Sequence, residues 1–93
     1  MRGMKCTKVV VGWQEGLHLR LAAKLVRVAR EFRSTIWLKC NGKVVEVQDI
    51  LSVLTLCATM GTAILVEAVG DDELDAARAI EQLFSLEGGG RAV

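Results

Sequence analysis

The sequence predicts an α+β fold, a βαββαβα open-faced sandwich in which an antiparallel four-stranded sheet carries three helices on one face. Three observations carry this prediction. Asn41-Gly42 lies between two β-rich runs, where it supplies the positive φ angles of a two-residue hairpin turn. Apolar residues recur at helical spacing over residues 21–32 and again over residues 76–84. Near the two ends of the chain, residues 6–11 and 62–69 are rich in β-branched side chains, and each run is closed by glycine.

Taken in order, residues 6–11 form the first strand, ended by Gly12. Trp13, Gln14 and Glu15 make a loop into Gly16, with Trp13 either covering the edge of a site or anchoring the loop as a partly buried indole. The first helix sets Leu21, Ala22, Leu25, Val26, Val28, Ala29 and Phe32 against Arg20, Lys24 and Arg27 on its opposite side. Residues 35–40 and 43–47 flank the Asn41-Gly42 turn as a hairpin. Then the alternation gives way to Ile50, Leu51, Val53, Leu54 and Leu56, too dense for an exposed strand and suited to a short helix capped by Asp49. Residues 62–69 are the last strand, closed by Gly70. Asp71, Asp72, Glu73 and Asp75 place negative charge at the start of a final helix, where the helix dipole favours it.

A chain of 93 residues is long enough for one core and too short for two, so residues 1–87 form a single domain and the glycine-rich residues 88–93 a flexible tail. Hydrophobic residues make up 52%, which argues against disorder. The net charge of +1 gives no general attraction to nucleic acid, and the one local excess is the basic side of the first helix. No apolar run reaches the roughly 20 residues of a spanning helix and the N-terminus lacks a signal-peptide core, so no membrane insertion is expected. Cys6, Cys40 and Cys57 are widely spaced and form no Cys-x-x-Cys pair. They are read as reduced thiols of a cytoplasmic protein rather than as a disulfide framework or a zinc site.

Histidine chemistry in this chain has one possible seat, because His18 is the only histidine. It falls where the loop after Gly16 becomes the first helix, at or near the N-cap. There the free N–H groups of Leu19 and Arg20 favour an anion, phosphate above all, and the Arg20 guanidinium strengthens the preference. A histidine at a helix start is also an ordinary polar cap. The combination with Gly16 and with Arg20, which contributes nothing to the apolar side, favours a ligand-bearing role.

The segment Gly16-Leu17-His18-x-Arg20-x-Ala22-Ala23 resembles the active-site segment of HPr, the histidine-containing phosphocarrier family of the bacterial phosphoenolpyruvate-dependent sugar phosphotransferase system. The resemblance spans about residues 6–84 and includes the Asn41-Gly42-Lys43 turn, the apolar residues 50–56 and Gly61. It implies that His18 accepts a phosphoryl group on Nδ1 from phosphorylated enzyme I and passes it to an enzyme II component. The chain would then be a monomeric carrier with a transient phosphohistidine rather than a stand-alone enzyme, with no cofactor or metal of its own. Arg20 would stabilise the phosphoryl group, and the Leu19 and Arg20 N–H groups and Gly16 would hold it. A partner surface is implied at Leu21, Lys24, Arg27, Ile50 and Leu51, with Leu54 either on that surface or in the core.

Three positions depart from the family pattern. Leu21 stands where proline is usual, which removes a residue that stiffens a first helical turn. Glu15 replaces a small or neutral residue, and its carboxylate either repels a phosphoryl group, pairs with Arg20 or faces solvent. Asp49 occupies the place of a serine that a regulatory kinase phosphorylates in many members; it is a good N-cap, and its single charge is also a partial mimic of phosphoserine. The alternative reading is therefore a non-transferring HPr-like regulator that acts by binding a partner protein.

Overall fold

The computed structural model describes residues 4–12 and 16–88. Its elements run β1 (Lys5–Val10), α1 (Leu19–Ala29), β2 (Thr35–Cys40), β3 (Lys43–Glu46), α2 (Ile50–Leu54), β4 (Ala63–Val69) and α3 (Glu73–Gly88), the βαββαβα order expected. The strands form one antiparallel sheet in the order β1-β4-β2-β3. The strand nearest the C-terminus thus lies inside the sheet, pairing Lys5 with Ala68 on one side and Thr35 with Val69 on the other.

Burial alternates along the inner strands, as a half-covered sheet requires. Ile36, Leu38 and Cys40 of β2 and Ile64, Val66 and Ala68 of β4 are buried, and they join Leu25 and Val26 of α1, Val53 of α2 and Ile80 and Phe84 of α3 in a single core. On the opposite face of the sheet, Glu67 is still only 8% exposed, and its carboxylate pairs with Lys39 Nζ at 2.8 Å. The hairpin turn is as expected, with φ of 51° at Asn41 and 79° at Gly42, both in the left-handed region that a tight two-residue turn demands.

Asp49 caps α2 through both carboxylate oxygens. Oδ1 accepts from the Ser52 N–H at 2.9 Å and Oδ2 from the Ser52 hydroxyl at 2.8 Å, and these bonds to Ser52 hold the carboxyl below its usual range. Asp72 does more than place charge near a helix end. Its carboxylate accepts the Ser34 hydroxyl at 2.6 Å and the Arg33 N–H at 2.9 Å, tying the entry of α3 to the turn before β2. Helix α3 ends at Gly88, the first residue of the glycine run. Trp13, Glu15 and the rest of the expected tail lie outside the described residues.

Candidate functional site

The approach to His18 is held against the loop that follows α2. The Leu17 N–H donates to the Ala58 carbonyl at 2.9 Å, and Gly61 and Val11 are joined at 2.7 Å through the Gly61 N–H. Gly16 has φ of +77°, and a Cβ there would lie 2.5 Å from the Ala58 oxygen. The resemblance sets Gly16 among the phosphate-holding groups; in the structure it is buried, and the close approach that its lack of a Cβ permits is to Ala58, which seats the loop beneath His18.

His18 is half-exposed and extended (φ −110°, ψ 174°), and it is the N-cap of α1. Its carbonyl accepts the Ala22 N–H at 2.9 Å, and its ring Nδ1 accepts the Leu21 N–H at 3.5 Å. The cap bond is thus made by Nδ1, the ring nitrogen on which the resemblance would place a phosphoryl group. The N–H groups of Leu19 and Arg20 precede the bond from Ala22 and point out of the helix start, where the dipole is positive. The Arg20 side chain is exposed.

Leu21 does not belong to the outer surface. It is 2% exposed, because it lies one turn before Leu25 on the apolar stripe and is carried into the core with it. The other expected partner residues divide. Arg27 is exposed, Lys24 is half-buried, Ile50 and Leu54 are partly buried against the core, and Leu51 is 74% exposed. Helices α1 and α2 bound a groove of about 460 Å³ between Val26, Arg27 and Arg30 on one side and Asp49, Ile50 and Leu51 on the other. The sequence reading missed three contributors to this side of the molecule. The Leu19 side chain is 62% exposed beside His18, Met60 is 58% exposed two residues beyond Ala58, and Arg30 lines the groove. Arg30 continues the basic series on α1 and was open to inference from spacing; Met60 lies in an aperiodic loop that carries no such signal.

Cys40 is buried, which pushes its thiol up, while Cys6 and Cys57 are exposed. Among the described residues no three His, Cys, Asp or Glu side chains are grouped to hold a metal ion.

The imidazole is thus held at the positive end of a helix, on a small open sandwich with exposed leucines and arginines, an arrangement that electrostatically favours an anion at the ring. Residues 5–85 match the family model for the PTS HPr component phosphorylation site. The phosphocarrier protein HPr of Xylella fastidiosa (strain 9a5c) is 38% identical over 77 residues, covering 83% of this chain and 86% of that protein. Among solved structures, the histidine-containing phosphocarrier protein of a Mycoplasma superposes with a TM-score of 0.84 at 30% identity, over 87% of this chain and 92% of that one. HPr from Thermoanaerobacter tengcongensis gives 0.84 at 32% identity, over 91% and 96%. The chain belongs to the HPr family of phosphocarrier proteins.

Proposed function

We propose that this chain is a cytoplasmic phosphocarrier in which His18 Nδ1 takes a phosphoryl group from phosphorylated enzyme I and delivers it to an enzyme II component. The observation that carries the reading is the direction of the ring: Nδ1 faces the N–H groups of the first turn of α1, so a phosphoryl group formed on it lies at the positive end of the helix. Phosphoryl transfer to an imidazole needs little covalent help from the protein beyond position and charge. The Leu19 and Arg20 N–H groups bind phosphoryl oxygens, and the Arg20 guanidinium offsets their charge. Exposed Leu19 and Leu51 supply apolar contact to the partner, and Arg27 and Arg30 favour an acidic rim on it.

Incubation with enzyme I and phosphoenolpyruvate, followed by intact-mass measurement, tests this directly. The expected product gains one phosphoryl group that is acid-labile and base-stable, and His18→Ala gains none. If the wild-type chain takes up nothing from a compatible, active enzyme I, the carrier reading gives way to that of a partner-binding regulator. One observation favours that second reading: the Asp49 carboxylate lies on the groove that Arg27 and Arg30 line, so its charge is offered to whatever protein docks there.

A further inference from the structure

We infer that the backbone N–H of Leu21 is a third phosphoryl-binding donor, exchanged between two acceptors: His18 Nδ1 in the unloaded protein and a phosphoryl oxygen in the loaded one. The inference rests on His18 being the phosphoryl acceptor. In the unloaded chain this N–H already reaches Nδ1, at 3.5 Å. Helix α1 gives it no carbonyl, because the bond to the His18 carbonyl comes from Ala22. Its direction is fixed from behind, since the Leu21 side chain is 2% exposed and locked in the core.

The bond has a chemical consequence at the ring. A nitrogen that accepts a hydrogen bond carries no proton, so the neutral imidazole keeps its hydrogen on Nε2 and leaves the Nδ1 lone pair as the nucleophile. In the transfer step that lone pair forms the new N–P bond while the donor's own bond to phosphorus breaks, its electron pair returning to the donor group. Nε2 keeps its hydrogen and no proton leaves. The lone pair can no longer accept, and phosphoryl oxygens now stand where it pointed. The N–H···N contact is long against the usual 2.9–3.0 Å or so, and so gives up little when it breaks. An N–H···O bond to an anionic oxygen is charge-assisted and roughly twice as strong as a neutral one. Leu21 therefore favours the loaded state, adding to Leu19 and Arg20.

A matched pair of variants isolates the amide. Leu21→Ala and Leu21→Pro both remove the leucine side chain, but only proline removes the N–H, and proline is tolerated in a first helical turn. Against a fixed ratio of phosphorylated to free enzyme I, Leu21→Pro should show about tenfold lower equilibrium loading than Leu21→Ala. In the unloaded state, nitrogen NMR of the His18 ring should show the Nε2–H tautomer dominant in wild type and Leu21→Ala and a mixture in Leu21→Pro. Wild type supplies a readout that needs no variant to fold: the Leu21 amide proton should move downfield on loading. Equal loading and equal tautomers in the two variants, or an unmoved Leu21 amide in a loaded wild-type chain, overturns the proposal while leaving the carrier reading intact. Absence of loading in wild type by both enzyme I and phosphoramidate instead overturns the carrier reading and the loaded half of this one. The tautomer comparison still decides the unloaded half.

Discussion

Arg20 is exposed in the first turn of α1, so its side chain contributes charge near His18 and little packing. Arg20→Ala is expected to slow phosphorylation of His18 by at least tenfold, the loss of a charge-assisted contact, while moving the thermal midpoint by only a degree or two, as is usual at an exposed position without a structural partner role. Transfer kinetics and a thermal melt on the same preparation check both halves, and a large fall in melting temperature with unchanged transfer would reverse the assignment. Its neighbour shows where local reading succeeds and where it stops. Periodicity alone put Leu21 on the apolar side with Leu25, and the core confirms it; the resemblance put it on the docking surface, and 2% exposure excludes that. Neither source reveals that its amide reaches a ring nitrogen, because a backbone donor leaves no mark in a pattern of side chains.

Among the elements, α2 and α3 differ in how far their N-terminal acids were legible. Asp49 caps its own helix through Ser52, three residues on, a local signal that the sequence carries in full. Asp72 reaches Arg33 and Ser34 from the far end of the chain, a pairing that no window of neighbouring residues contains. Both carboxyls sit below their usual range because these hydrogen bonds favour the charged form. A lowered pKa in the folded state means stability that is complete above the unfolded carboxylate value, about 4, and is lost as pH falls through it toward the folded value. Asp72→Ala should therefore melt lower than wild type at pH 7, by roughly 4–8 °C if the loss resembles that of a capping residue, with the gap closing as pH falls below about 4. Thermal melts across a pH series measure it, and a gap that stays constant down to pH 2 would show that the carboxylate charge is not what the turn before β2 depends on.

Taken whole, the molecule has a net charge of only +1 but distributes it unevenly, with Arg20, Arg27 and Arg30 exposed along α1 and Asp49 facing them across the groove. If the chain docks on enzyme I through this basic side, as proposed, the association should weaken with salt. If Asp49 acts on that encounter, Asp49→Asn and Asp49→Ser should both speed phosphorylation of His18, most at low ionic strength, and the gain should fade as salt is raised. Equal rates for the three side chains across the salt series would confine Asp49 to capping α2. The charge pattern was readable residue by residue; the groove that assembles it was not, since it exists only once α1 and α2 lie side by side.

The order of the sheet also has a consequence in time. β1 pairs only with β4, so the first strand to be synthesised has no neighbour until nearly the last has been made, whereas β2 and β3 can close on each other across Asn41-Gly42 as soon as both are free. The same late segment brings Gly61 and Thr62 to Val11, completing the seat beneath Gly16 and Leu17. A nascent chain that ends before Val69 thus carries its histidine on an unfinished platform. The fold around His18 is completed only when residues 61–69 have joined it, long after His18 itself.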